Sequence, residues 1–212
     1  MRFMILAALL AGCTAPPATA QEPAPKPKEQ RRVGLLREGL VGQTVPVLPI
    51  THVVRDSVPG DSSLMVPRAA LLIWADSILA EGLVERAPEI VWLYGSELAR
   101  IARRGTGILP EPSRFGHSIL RSPKIKTVPD PTRSHLRTLT ALAGARFVFV
   151  PASLLFAAGE DGAVRATLIA LVTDTRTGAI SWRADATGTG ATAAAALRAT
   201  IDFFLPDQST TP

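Results

Sequence analysis

Apolar and polar positions alternate most regularly between residues 145 and 184, where two turn signals divide three β-rich runs. The first run covers 147–155 and ends at Gly159-Glu160-Asp161-Gly162. The second covers 164–172 and ends at Asp174-Thr175-Arg176-Thr177-Gly178, and the third covers 179–184. Gly and Asp supply the backbone conformations of tight turns, and the runs between them have strand length. The pattern predicts a three-stranded antiparallel meander. A period of two puts Phe147, Phe149 and the odd positions after them on one side, which, with Trp182, is expected to lie under helices.

Around this meander the spacing is mostly helical. Residues 45–50 read as a first strand, which Pro46 and Pro49 make an edge strand. A helix starts near Pro67 and runs to about Val84, with Leu71, Leu72, Ala75, Ile78, Leu79 and Leu83 on one face. Arg68, Asp76 and Glu81 argue against a membrane-spanning helix there. Residues 90–94 form a short strand, and Ser96 is the expected N-cap of a helix over 97–104. Thr132 or Ser134 caps the next helix, which carries Leu136, Leu139 and Leu142 to a stop at Gly144. Gly188-Thr189-Gly190 leads into an Ala-rich helix over 192–203, with Leu197, Ile201 and Phe204 turned inward and Pro206 as its end. This order, β-α-β-α-loop-α-β-β-β-α, predicts an α/β (α+β) domain over 44–206. Its helices pack on a single small mixed sheet that includes the C-terminal meander. Residues 207–212 are a polar tail.

Residues 105–131 differ in kind. They are dense in Pro and Gly, show no period, and carry Arg114, Phe115, His117, Arg121 and Lys124-Ile125-Lys126. A connection this long is usually functional or mobile. Mixed basic and apolar exposure suits recognition of an acidic protein or polymer surface. Arg114, Phe115, Arg121, Lys124, Ile125 and Lys126 are therefore the candidate partner-binding residues. A mobile surface insertion is the alternative, and on either reading a short Gly-Ser turn should replace the segment without unfolding the domain.

The N-terminus carries a different signal. Met1-Arg2 precedes a short apolar run over 3–10 that closes at Leu10-Ala11-Gly12-Cys13. The run is too short to span a bilayer, which takes about 20 apolar residues. It has the form of a secretory signal over residues 1–12. The last four residues resemble the bacterial lipobox, in which cleavage falls between Gly12 and Cys13 and the Cys13 thiol carries lipid. Cys13 is the chain's one cysteine, so no internal disulfide is available and lipidation accounts for it. A plain signal peptide with a chance cysteine is the alternative. Residues 13–43, rich in Pro, Ala and Lys, then read as a tether without a core. Thr14 in place of an Asp after the cysteine points to the outer membrane.

Composition narrows the functional classes. An apolar fraction of 47% suffices for a sizeable core, and the net charge of +5 comes largely from scattered Arg. Without an aromatic stacking platform beside the basic patches, nucleic acid is not the expected partner. His52, Asp56 and Ser57 are a possible triad fragment, but no constrained Gly-x-Ser-x-Gly turn accompanies them. No His-Glu-x-x-His or other metal-ligand spacing occurs, no phosphate loop is present, and Gly188-Thr189-Gly190 lacks a third glycine. His52, His117 and His135 are expected in surface or capping roles, and Trp74 and Trp92 in the core. No cofactor and no metal are expected.

Three motifs carry a resemblance. Val47-Leu48-Pro49, Gly144-Ala145-Arg146-Phe147-Val148, and the hairpin Asp174-Thr175-Arg176-Thr177-Gly178-Ala179-Ile180-Ser181-Trp182 are similar to those of a group of bacterial envelope proteins. The group includes the TolB N-terminal domain, LpoB-type activators of penicillin-binding proteins, and CsgG and FlgO-like proteins. The resemblance covers about residues 44–205, apart from 105–131. It implies a non-catalytic domain that binds another envelope protein or the cell wall, peptidoglycan included, and that can form a homo-oligomer. A subunit of an oligomeric secretion pore, or a periplasmic hydrolase using His52 or His117, are the other readings.

Overall fold

Two left-handed glycines, Gly162 (φ 76°) and Gly178 (φ 80°), turn the chain between its three longest strands. The structure is a computed structural model that describes residues 34–35, 37–56, 61, 64–105 and 107–206. Within these the strands are β1 (Thr44–Pro46), β2 (Val53–Arg55), β3 (Val91–Leu93), β4 (Phe147–Ala158), β5 (Val164–Asp174) and β6 (Ala179–Gly190). The helices are α1 (Arg68–Arg86), α2 (Gly95–Ala102), α3 (Thr132–Ala143) and α4 (Ala193–Phe204). The class is mixed α and β, as the pattern predicts.

β4, β5 and β6 form the antiparallel meander, and β2 adds to β4 in parallel, in the order β2-β4-β5-β6. β1 pairs in parallel with β3 as a second ladder. A bridge from Val47 to Phe149 joins the two ladders, and the Leu48 amide donates to the Phe149 carbonyl at 3.0 Å. Residues 47–56 thus run along one edge of β4, with the pairing interrupted between Leu48 and His52. The expected strand over 45–50 is shortened to β1 with a single bridge at Val47, and β2 is a further strand that the pattern did not predict.

Both faces of the sheet are covered. Phe149 meets α1 and α4 in a core with Trp92, Trp182 and Phe204, while Val148 and Val150 face Leu98, Phe115, Leu136 and Leu139. Phe149 lies 6.4 Å from Trp182 and 6.1 Å from Phe204 between ring centroids. Phe147 is half-buried on the same side, so both it and Trp182 lie where the alternation puts them. The parity fails further on. A bulge between Pro151 and Ser153 reverses it, and the even positions Leu154 and Phe156 join Phe149's face.

Local chemistry sets the ends. At the β5–β6 turn, Asp174 accepts the Arg176 amide at 2.9 Å and Nη2 of Arg146 at 2.6 Å. The Arg146 hydrogen bonds hold the Asp174 carboxyl below the usual carboxylate range. Gly144 closes α3 at φ 65°, and Thr192 caps α4 by accepting the Ala195 amide. Ser96, Thr132 and Ser134 are not caps. α2 begins at Gly95, whose φ of 55° makes the strand-to-helix turn one residue before Ser96. Thr132 donates to the Phe115 carbonyl, and Ser134 to the Asp130 carboxylate.

Two boundaries differ from the expectation. β6 runs on to Gly190, because Gly188 and Gly190 are where α4 lies directly on the strand. A Cβ on Gly188 would stand 2.5 Å from the Ala196 carbonyl oxygen. Leu35 and Leu40, assigned to the tether, are buried in the core. The Leu35 amide donates to the Phe204 carbonyl at 2.8 Å, and the Trp182 indole donates to the Gly34 carbonyl at 3.0 Å. The signal segment, Gly12, Cys13, the rest of the tether to residue 33 and the tail over 207–212 lie outside the described residues.

Candidate functional site

Residues 107–131 fold as short turns that bury one side and present the other. Phe115 is 1% exposed, Leu120 is fully buried and Val128 is 3% exposed, all in the core shared with α2 and α3. Phe115 was expected at the surface; its ring instead stacks 5.2 Å from His135. Ile125 is half-buried against the same core. Nη1 of Arg183, on β6, donates to the Leu120 carbonyl at 2.8 Å, and Nη2 to the Ile125 carbonyl at 3.2 Å. Burial lowers the pKa of Arg183 from its ordinary value. Thr127 bridges Ala179, the Val128 amide donates to Gly178, and the Ile180 amide donates to Lys126. The segment therefore covers the start of β6, an edge that would otherwise be open. Arg114, Arg121, Lys124 and Lys126 are exposed on its outer side, together with Ile119.

The triad fragment does not assemble. The His52 carbonyl accepts from Leu154 and the Asp56 amide donates to Phe156, so the two residues bracket β2. Four residues of extended chain separate them by about 13 Å, far beyond hydrogen-bond reach. Ser57 lies outside the described residues. His52 has its pKa lowered by burial, then by the charges of Arg121 and Arg68.

His117, expected at the surface or as a cap, is fully buried. Its Nε2 lies 2.9 Å from the Pro49 carbonyl and 3.4 Å from Oγ1 of Thr51. A carbonyl only accepts, so Nε2 carries the proton and donates to it. Nδ1 is buried without a partner. Burial pushes the pKa down to about 4, against the Pro49 hydrogen bond, which raises it. His117 is thus a neutral core residue that ties the 107–131 segment to the chain between β1 and β2.

A cleft that sequence reasoning missed lies between α1 and α2. It encloses about 590 Å³, with Val47, Leu48 and Pro49 on its floor and Glu111 to Ser113 at its lip. Asp76 of α1 lines it and accepts the Ile50 amide at 2.7 Å. Burial raises the Asp76 pKa to about 7, opposed by that hydrogen bond. Ile73 and Tyr94 stand at the mouth, 73% and 42% exposed. The one sequence signal was Ile73, an isoleucine that lies off the apolar face of α1. Among the described residues no group of three or more His, Cys, Asp or Glu is placed to hold a metal, and no helix is long and apolar enough to cross a membrane.

No protein-family model and no curated protein matches the chain. Solved structures of similar shape include the LpoB C-terminal domain from Salmonella enterica, one of the groups that the sequence motifs resemble. It is 15% identical, with 71% of this chain and 83% of that one covered, at a TM-score of 0.38. The PelC dodecamer from Paraburkholderia phytofirmans is 15% identical, covering 84% of this chain and 94% of that one, with a TM-score of 0.36. A lipoprotein from Neisseria meningitidis is 14% identical over 68% of this chain and 78% of that one, with a TM-score of 0.31.

Proposed function

We propose that this chain is a lipid-anchored protein of the bacterial cell envelope whose domain works by binding, not catalysis. The anchor is Cys13, and Thr14 after it assigns the lipid to the outer membrane, with the domain in the periplasm. The binding face is the outer side of residues 107–131. One observation carries this reading: Arg114, Arg121, Lys124 and Lys126 are exposed on a segment whose other side is core. A face held in place by its own packing loses little conformational freedom when a partner docks, which favours affinity. Its charge matches an acidic envelope protein or an anionic cell-wall polymer. The buried neutral His117 and the separated His52 and Asp56 support a non-catalytic role.

The test has an anchor arm and a binding arm. Metabolic labelling with a palmitate analogue should mark the wild type and not Cys13→Ala, which should also leave the membrane fraction. Capture from solubilised envelopes should lose its partner when Arg121, Lys124 and Lys126 are changed to Glu together. The same reversal at Arg137, Arg165 and Arg176 should leave capture intact. Label on Cys13→Ala refutes the anchor, and equal capture by both triple variants refutes the binding face.

A further inference from the structure

We propose that the cleft between α1 and α2 binds a peptide segment of a partner protein that sets a lysine or arginine beside apolar side chains. This is a second site, apart from the basic face.

Size and lining point to a ligand with an apolar body. At about 590 Å³ the cleft falls within the range of small ligand sites, about 300–1,000 Å³. Its walls include Leu79 and Ala80 of α1 and Leu98 of α2, over the floor at Val47 and Leu48.

Charge supplies the second feature. The chain is net +5, yet the charged residues lining the cleft, Asp76, Glu81 and Glu111, are all acids. Glu81 is engaged, since Nη2 of Arg198 lies 3.4 Å from its carboxylate. Asp76 differs: Oδ1 accepts the Ile50 amide, and no described side chain brings a cation to this half-buried carboxylate. A partner's ammonium or guanidinium would complete its pairing, and charge-assisted hydrogen bonds of this kind are the stronger class.

The mouth decides between a peptide and a small amine. Small-molecule sites bury most of their ligand inside walls. Here Ile73 of α1 and Tyr94, just before α2, line the cleft yet remain exposed at its mouth. A longer occupant, with an apolar side chain on each side of the cation, covers them. Tyrosine at such a rim is characteristic of protein interfaces.

Tyr94 is the chain's one tyrosine, so 3-fluorotyrosine labelling of the full lipidated chain in detergent gives a single fluorine resonance at the mouth. The probes are the N-acetyl, C-amide tripeptides Leu-Lys-Phe, Leu-norleucine-Phe and Leu-Glu-Phe, with n-hexylamine. The lysine peptide should shift the line saturably and bind at least tenfold tighter than the norleucine peptide, with the glutamate peptide weakest. Asp76→Asn keeps an acceptor for the Ile50 amide and should bring the lysine and norleucine peptides within twofold of each other. Ile73→Ser, at an exposed position, should weaken both. Equal affinity of the lysine and norleucine peptides for the wild type, or an unmoved line, overturns the proposal. So does undiminished lysine preference in Asp76→Asn, or n-hexylamine binding as tightly as the lysine peptide.

Discussion

The guanidinium of Arg183 on β6 and the carbonyl of Leu120 are 2.8 Å apart, and this contact fastens the basic segment to the sheet. The second arm of the fork reaches the Ile125 carbonyl. One side chain thus holds the backbone on both sides of residues 121–124, where Arg121 and Lys124 are displayed.

Arg183→Ala leaves two partly buried carbonyls without their charged donor. Hydrogen bonds to charged groups contribute about 1.5–3 kcal/mol, so a loss of about 2 kcal/mol and several degrees in Tm is expected. Amide hydrogen exchange should accelerate over residues 119–126 more than in β4 or β5. Uniform acceleration across the domain would show that Arg183 supports the whole fold and does not pin this segment.

Gly188→Ala should be among the most damaging single substitutions. The added Cβ meets the backbone of α4 at Ala196 and Thr200, where no flexible side chain can give way. Overpacking of this kind costs about 3 kcal/mol or more. Gly39→Ala is the control, since a Cβ there meets nothing within 4 Å. Equal melting temperatures for the two variants would contradict the close seating of α4 on β6.

His117 makes stability depend on pH. Its pKa is about 4 in the folded chain against 6.5 unfolded, so between these values the unfolded chain takes up a proton that the folded chain does not. The contribution is fully present above about pH 6.5 and is lost as pH falls towards 4. Linkage gives about 2–3 kcal/mol between pH 7.5 and 4.5. Asp76 has the opposite sign, because its raised pKa costs stability as pH rises from about 4 to 7. The difference between wild type and His117→Gln isolates the histidine. Urea melts at pH 7.5, 6 and 4.5 should show the wild type's advantage shrinking with acidity; a constant difference would mean that His117 titrates normally.

The meander was legible because Gly162 and Gly178 mark its turns and the runs between them alternate. Tertiary contact decided what was not. Gly188 and Gly190 read as breakers, yet they continue β6, since lacking a Cβ is what lets α4 approach. Residues 105–131 read as a removable insertion because burial of Phe115, His117, Leu120 and Val128 follows no period. A Gly-Ser replacement would strip those side chains from the core, so substitutions on the outer side are the sound way to test this segment. Arg114, Arg121, Lys124 and Lys126 were legible as exposed cations from charge and position alone. The cleft was not, because Asp76, Tyr94 and Glu111 come from three separate stretches of sequence.

The most direct measurement places a photo-crosslinking residue, p-benzoylphenylalanine, at Lys124 in living cells, with Arg176 as the comparison position. Both side chains are exposed, and Arg176 lies on the β5–β6 turn outside the basic segment. Irradiation should give a discrete adduct from position 124 and none from 176, and the adduct should fall sharply when Cys13→Ala removes the anchor. No adduct at 124, or the same adduct from both positions, would contradict an anchored domain that binds through its basic face.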